Sequence, residues 1–363
     1  MSRFIQLHLL TSYPPSNLNR DDLGRPKSAL VGGVQRLRIS SQALKRAWRT
    51  SDSFKTALDG HLGVRTKEMG TQVWRNLTGA GIADKPAREW ARAIAERFGK
   101  LKDAKKTERN EDLEIEQLAH FGPEEQAAIN ELTKALIGRK SAPTEDELQL
   151  LRKPRAAVDI ALFGRMLAAN PAFNVEAAAQ VAHAITVHKA AIEDDYFTAV
   201  DDLNKGDEDR GAGHIGETGF GAGVYYLYVC INRALLDENL GGDTALRNRA
   251  LAALLEAASK TAPTGKQNSF ASRAYASCVV AEKSDRQPRS LAAAFLRPVR
   301  NRDDQDTTAI AIEALLKKRD SFDAMYGITS DAWRAAAEGE YWPLFPEGRA
   351  GSLAQLVDFV QQD

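Results

Sequence analysis

The sequence predicts an α+β fold, a sheet domain that carries insertions. Short apolar segments of strand length recur along the chain, and amphipathic helical segments lie between them. One long stretch, residues 52–155, is charged, alanine-rich and periodic at helical spacing. No repeat at a fixed period is present, which argues against a solenoid. With 363 residues, 43% of them hydrophobic, the chain can bury a sizeable core.

The amino-terminal segment predicts a strand, a loop, a second strand and a helix. Residues 4–10 are almost wholly apolar and predict a buried strand. Residues 11–35 are rich in Pro, Gly, Asn and Ser and predict a long loop, and loops of this length are often functional. Residues 36–40 alternate and predict a short strand, after which Ser41 caps a helix that extends to about Ser51.

Strands return after the helical insertion. Apolar residues at 158–163 and at 181–187 predict two strands, and residues 224–231 form the strongest predicted strand by β-propensity. Residues 244–260 predict an amphipathic helix. Residues 274–281 predict the last core strand, and the carboxyl-terminal part that follows is mostly helical.

The charge is balanced over the whole chain but polarised along it. There are 49 basic and 49 acidic residues, and a net charge of zero by itself argues against a nucleic-acid-binding protein. Residues 1–51, however, contain nine basic and two acidic residues, whereas residues 193–209 contain eight acidic residues and one lysine. Such a chain can hold an anion at one surface and a basic partner at another.

Several functional classes lack their sequence signatures. No apolar run approaches the ~20 residues of a membrane span, and no signal-peptide segment follows Met1, so we expect a cytoplasmic protein without a membrane partner. Two cysteines exclude a disulfide framework or a four-cysteine zinc site, and no histidine has metal-ligand spacing. The Gly-x-Gly-x-x-Gly of residues 211–216 lacks the flanking strand and helix of a dinucleotide site. We therefore expect no metal or cofactor.

The helix predicted for residues 41–51 has two contrasting faces. Leu44 and Trp48 lie on an apolar face. The opposite face carries four polar residues, Gln42, Lys45, Arg46 and Arg49. Ser40 and Ser41 stand at the positive end of the helix, where hydroxyl and free N–H groups suit a phosphate. The alternative is the ordinary solvated face of a surface helix.

Two other regions could contact a ligand. Arg20 and Lys27 lie in the loop before this helix, and the excess of positive charge there favours anion binding over a plain surface loop. Tyr196 and Phe197 stand among acidic residues, where they are core anchors, a partner contact or a wedge between bases. Met166 could likewise be a core residue, a partner contact or a wedge between bases.

Five blocks of sequence occur in an order and spacing that point to a known family. They are residues 18–22 (Leu-Asn-Arg-Asp-Asp), 32–33 (Gly-Gly), 38–46 (with Arg-Ile-Ser-Ser-Gln and Leu-Lys-Arg), 158–166 (with Val-Asp-Ile-Ala-Leu and Gly-Arg-Met) and 197–203 (Phe-Thr-Ala-Val-Asp-Asp-Leu). In these blocks the chain resembles the CasC family, the backbone subunits of the type I-E CRISPR surveillance complex Cascade. The resemblance runs from residue 4 to about residue 281. Tyr196 stands where this family is expected to have tryptophan.

The resemblance implies a hand-like protein. A modified RNA-recognition-motif (ferredoxin-like) palm would comprise residues 1–51 and 156–363, helical fingers residues 52–155, and a protruding β-hairpin thumb about residues 193–223. Copies would stack head-to-tail along a CRISPR guide RNA and present it in segments for pairing with a target DNA strand in antiviral defence. The other implied partners are the large, small, guide-processing and handle-binding subunits of Cascade.

The resemblance also implies which residues touch the guide. Backbone contacts, which carry no sequence information, would come from Arg20, Lys27, Arg38, Ser40, Gln42, Lys45, Arg46 and Arg49. Arg165 would also bind the RNA, and Met166 of the palm would press against bases together with the thumb. The thumb would press four residues against bases, namely Tyr196, Phe197, Val200 and Ile215. The family would be non-catalytic and would need no metal.

Two other functions are open from the sequence. Related backbone proteins of other CRISPR types cleave target RNA with an acid in the loop that corresponds to residues 11–35. Asp21 or Asp22 would be that acid in an RNA endonuclease, although no His or Lys beside them forms an obvious acid–base pair. The third function is a metabolic enzyme with a small-molecule pocket. If the purified protein carries RNA, the guide-RNA-binding function is favoured over the metabolic enzyme.

Overall fold

The computed structural model of the protein describes residues 2–103, 110–199, 214–300, 306–328 and 332–362. The chain forms two compact units. The first comprises Met1–Phe54, Val181–Cys230 and Leu251–Asp363, and the second comprises Lys55–Gln180 and Ile231–Ala250. No helix among the described residues is both long and apolar enough to cross a membrane.

The secondary structure of the described residues is as follows. The strands are β1 (Phe4–Ser16), β2 (Ser28–Val31), β3 (Val34–Ile39), β4 (Val64–Thr66), β5 (Ala119–Phe121), β6 (Ala179–Val181), β7 (Ala184–Thr186), β8 (Glu193–Ala199), β9 (His214–Asn232), β10 (Ala276–Ser284), β11 (Ala332–Ala337) and β12 (Ala350–Gly351). The α-helices are α1 (Ser41–Thr50), α2 (Asp52–Ala57), α3 (Met69–Gly79), α4 (Asp84–Glu96), α5 (Pro123–Arg139), α6 (Val158–Phe163), α7 (Arg233–Asn239), α8 (Thr244–Lys260), α9 (Gln267–Phe270), α10 (Thr307–Tyr326) and α11 (Leu353–Gln361).

A large mixed sheet dominates the first unit, as the predicted α+β class requires. Its main path has the strand order β12-β11-β10-β1-β9-β7-β3-β2. Strand β1 pairs antiparallel with β10, with Leu7 opposite Ala281, whereas β11 and β12 are parallel. Helix α10 covers part of the sheet and buries Ile312 and Leu315 in the same cluster as Val280. The central position of β1 explains its near-continuous apolar sequence.

The second unit is mainly helical. Helices α3, α4 and α5 enclose a core in which Trp90, Ile94 and Phe98 are all buried, as their spacing of four predicts. This unit also contains residues 156–180 and 231–250, which the sequence-based division placed with the palm.

The prediction of a strand at residues 158–163 is wrong, because this segment forms helix α6. A short, mainly apolar run does not distinguish a buried strand from a buried helix, and Val158, Ile160 and Leu162 are all fully buried. The helix ends at Gly164, whose φ of +80° lies in the region that glycine adopts most easily.

The long loop predicted for residues 11–35 is also shorter than expected. Strand β1 continues to Ser16, and β2 and β3 form a hairpin that turns at Gly32 and Gly33 with φ of +62° and +78°. Tyr13 packs edge-on against Tyr225 with ring centroids 5.5 Å apart, and this tertiary contact extends β1 into the Pro-rich sequence. Only residues 17–27 form a loop. We call them the amino-terminal loop.

Two further strand predictions need correction. The predicted strand at 181–187 is reduced to β7, which is three residues long. Strand β10 is present, but it is not the last strand, because β11 and β12 follow it at the sheet edge. The alanine-rich sequence of β11 has little intrinsic β-propensity, so its pairing with β10 and β12 makes it a strand.

Candidate nucleic-acid interface

Local hydrogen bonds set the start of helix α1. Ser40 is the N-cap, one residue before the predicted one, and its Oγ accepts a hydrogen bond from the N–H of Ala43 (3.3 Å). The N–H of Ser40 donates to Oδ1 of Asn19 in the amino-terminal loop (2.9 Å). Ser40 is buried, so its hydroxyl serves the helix cap. The loop and the helix are thereby joined at the point where the helix dipole is positive.

The two faces of α1 are arranged as the sequence predicts. Leu44 and Trp48 are buried, and Nε1 of Trp48 donates to the carbonyl of Thr261 (3.2 Å). The opposite face carries the exposed Gln42 and Arg46 and the half-buried Lys45 and Arg49. Anchoring of Trp48 therefore turns the polar face of the helix outward.

A groove of about 640 Å³ lies between α1 and the segment that follows α8. Its described lining contains five cations and one acid, Asp52. The cations are Arg20, Arg46, Lys260, Lys266 and Arg273. Hydroxyl groups of Thr50, Ser51 and Thr264 lie among them. Cations interleaved with small polar groups suit the phosphates and sugars of a nucleic-acid backbone.

Close backbone packing builds this groove. Gly265 lies against the amino-terminal loop so tightly that a Cβ atom there would come within 2.5 Å of the carbonyl oxygens of both Asn17 and Leu18. Lys266 follows in a left-handed conformation, with φ of +53°. Glycine at 265 thus lets the two loops meet, and the meeting places Arg20 and Lys266 in one groove.

A second group of cations joins the amino-terminal loop to β3. The N–H of Arg38 donates to the carbonyl of Lys27 (2.8 Å), which holds the two residues side by side. Nη1 of Arg38 lies 2.8 Å from Nδ1 of His183, just before β7. Partial burial of the ring and, after it, the positive charges of Arg38 and Lys27 lower the pKa of His183.

The predicted thumb contains an antiparallel pair of strands, β8 and β9. Phe197 lies opposite Gly216 and Tyr196 opposite Glu217. Tyr196 and Phe197 keep 64% and 43% of their surface exposed, so neither is a core anchor. Of the other two predicted wedge residues, Ile215 lies on β9, and Val200 lies outside the described residues.

The base of this hairpin is bonded to the amino-terminal loop. Nδ2 of Asn17, which is fully buried, donates to the carbonyls of Gly24 and Gly219, each at 2.9 Å. Arg25 and Asp194 form an exposed ion pair at 2.8 Å. The loop that carries Arg20 and Lys27 is therefore continuous with the hairpin that carries the exposed aromatic residues.

Two predicted contacts on the second unit differ sharply in exposure. Arg165 is buried, and its guanidinium donates to Oε2 of Glu125 (2.6 Å) and to the carbonyls of Arg152 (2.6 Å) and Phe173 (2.9 Å). We therefore leave Arg165 out of the RNA-contacting set, because its donors already hold the protein together. Met166 is 76% exposed and lines a separate cleft of about 280 Å³.

The amino-terminal acids have different surroundings. Asp21 accepts hydrogen bonds at Oδ1 from the N–H groups of Leu23 (3.0 Å) and Arg25 (2.9 Å), so it organises a turn. Asp22 is exposed. Among the described residues, no group of three or more His, Cys, Asp or Glu is placed to hold a metal ion.

Sequence reasoning missed three of the groove cations and the histidine. Lys266 ends a Pro-Thr-Gly-Lys segment, Lys260 precedes it and Arg273 follows it. Basic residues beside glycine and hydroxyl residues were the available signal. His183 lacked any signal of its own, because its contact with Arg38 depends on the pairing of β3 with β7.

The chain resembles known proteins over almost its whole length. The chain matches the model of the CT1975-like protein family (Cas_CT1975) over residues 5–358. It is similar to a chain of a solved structure described as "CRISPR RNA-guided surveillance complex, pre-nicking", with 31% identity, 99% of each chain covered and a TM-score of 0.84. A chain of a second structure, "CRISPR RNA-guided surveillance complex", gives 26% identity, 99% coverage of each chain and a TM-score of 0.75. No curated protein matches the chain.

Proposed function

Because this chain belongs to the CT1975-like protein family, we propose that it is the guide-RNA-binding backbone subunit of a type I-E CRISPR surveillance complex. The similarity extends over 99% of both chains in the two structural relatives, which are described as parts of RNA-guided surveillance complexes. In this proposal the subunit is non-catalytic. It binds guide RNA, touches the target DNA strand and contacts other copies of itself and the remaining Cascade subunits.

The observation that carries the proposal is the cation-lined groove beside α1. Its cations come from the amino-terminal loop, from α1, from the end of α8 and from the segment after α8. With a single acid in its described lining, the surface is predominantly positive. Such a surface attracts phosphates and does not read bases, which suits a protein that must accept any guide sequence.

The same proposal assigns the palm, the fingers and the thumb to parts of this chain. The mixed sheet is a modified RNA-recognition palm, the insertion 52–155 forms the fingers, and the hairpin 193–223 forms the thumb. Tyr196 and Phe197 press on bases at regular intervals, and the guide is held in short, ordered segments. Order imposed before pairing lowers the entropic cost of binding the target.

A charge-reversal pair tests the groove. Arg46→Glu with Arg273→Glu replaces two exposed groove cations, and Lys317→Glu with Arg334→Glu makes the same charge change at exposed sites outside the groove lining. We expect the groove variant to bind a labelled single-stranded RNA at least about tenfold more weakly, with a salt slope shallower by about two. Fluorescence anisotropy over a salt series measures both quantities.

The control variant should bind as the unmodified protein does. The proposal would fail if both variants bound RNA equally well, or if the groove variant lost affinity for some RNA sequences and kept it for others.

A further inference from the structure

We propose that His183 is an additional guide-backbone contact, which shares one RNA phosphate with Arg38 and Lys27. The inference rests on the proposed function and adds to the RNA site a residue that the family resemblance did not select. Three observations carry it. His183 is exposed as a residue although its ring is partly buried, its Nδ1 lies 2.8 Å from Nη1 of Arg38, and Lys27 is hydrogen-bonded through its backbone to Arg38.

The hydrogen bond fixes the protonation state of the ring in the RNA-free protein. A guanidinium group has donors and no acceptor, so Nδ1 of His183 must accept from Arg38. The proton of the neutral ring is therefore on Nε2. If a second proton were bound to Nδ1, the N–H of His183 would point at the N–H of Arg38. An acceptor placed between these two donors would then be needed.

A phosphate oxygen is such an acceptor. The charged groups that act on His183 are Arg38 from β3 and Lys27 from the amino-terminal loop, and both are positive. On the side of β9 the neighbouring contact is a backbone one, from the N–H of Ala182 to the carbonyl of Tyr228 (2.9 Å). An anion placed at this cluster would relieve the repulsion and accept hydrogen bonds from Arg38 and from His183 together.

RNA binding should therefore be coupled to proton uptake. In the free protein, burial and the two cations hold the pKa of His183 below its usual value, and a bound phosphate would raise it. The affinity then increases as the pH falls through the higher pKa of the bound state, and it levels off below the pKa of the free state. A difference of one unit between the two states makes binding about tenfold tighter at low pH.

The test compares RNA affinity across the range in which histidine titrates. Anisotropy of a short labelled single-stranded RNA is followed between about pH 8 and about pH 5.5 at constant ionic strength. The variants are His183→Gln and, as a control, His188→Gln. Both ring nitrogens of His188 are occupied by backbone groups, the carbonyl of Lys189 (2.8 Å) and the N–H of Val224 (3.2 Å).

We expect about tenfold tighter binding at the acidic end for the unmodified protein and for His188→Gln, and no such gain for His183→Gln. Hydrogen–deuterium exchange at the imidazole C2 position, read by mass spectrometry, should show a higher pKa of His183 when RNA is bound. The inference is overturned if RNA binds with the same pH dependence after His183→Gln, or if RNA leaves the pKa of His183 unchanged. Absence of RNA binding at every pH would overturn the proposed function, and this inference with it.

Discussion

Glu282 lies on β10 at the centre of a buried ionic network in the first unit. Its carboxylate accepts hydrogen bonds from Nη1 of Arg289 (3.0 Å) and Nε of Arg319 (3.0 Å), and it lies 3.1 Å from Nε2 of His8. Both arginines also pair with Asp323 on α10, at 2.8 Å and 3.0 Å. Burial alone would raise the pKa of Glu282, but His8 and Arg289 outweigh it and bring the pKa to about 2.

We predict that acid destabilises the first unit partly through this residue. A carboxyl group with a lowered pKa stabilises the fold above its unfolded pKa of about 4.3, and this contribution is lost as the pH falls to about 2. The lost contribution is about 3 kcal/mol. Glu282→Gln should therefore be less stable to urea at neutral pH and lose less stability on acidification. Glu313→Gln, at an exposed position of α10, is the control. Equal acid losses in all three proteins would contradict the prediction.

At the scale of elements, the predictability of each part follows the range of its interactions. Helix α1 could be predicted to within one residue, because its cap and its two faces are local sequence features. Helix α6 could not, because its burial leaves no periodic polar face. The groove could be predicted only in part. Arg20 was a predicted contact, but Lys266 and Arg273 join it through the packing of Gly265 on the amino-terminal loop. That contact joins segments far apart in the sequence.

The bond between the amino-terminal loop and the hairpin leads to a prediction at the same scale. Asn17→Ala removes both N–H donors that link Gly24 to Gly219, and the buried carbonyl of Gly219 loses its partner. Such a loss costs about 1–3 kcal/mol, so hydrogen exchange in β8 should become at least about tenfold faster while β10 keeps its protection. Asn268→Ala, at an exposed position of α9, should leave the exchange unchanged. Unchanged exchange in the Asn17 variant would show that other contacts fix the hairpin.

The whole molecule has a polarity that its zero net charge conceals. Residues 1–51 carry nine basic and two acidic residues, a net of +7, and the remaining residues therefore carry −7. Opposite charges on different parts of one chain can attract two copies to each other. In the proposed assembly such contacts would run head-to-tail along the RNA. In the proposed assembly the amino-terminal part binds the guide backbone and the hairpin contacts bases. The hydrogen bonds of Asn17 would hold these two RNA-binding parts together within each copy.

The final prediction concerns this assembly. Tyr196→Ala with Phe197→Ala removes the exposed aromatic surface of the hairpin but leaves the cation-lined groove intact. A first copy should bind short RNA nearly as the unmodified protein does, because the groove supplies the backbone contacts. On long RNA, each copy should lose about 1–3 kcal/mol of base stacking, so mass photometry should count fewer copies per RNA. Fluorescence of 2-aminopurine placed along the RNA should also lose its periodic increase, which reports unstacked bases. Tyr326→Ala removes a comparably exposed aromatic ring from α10 and should change neither measurement. Full occupancy with undiminished periodicity in the double variant would remove the hairpin aromatics from base displacement, while the groove would keep its assigned role.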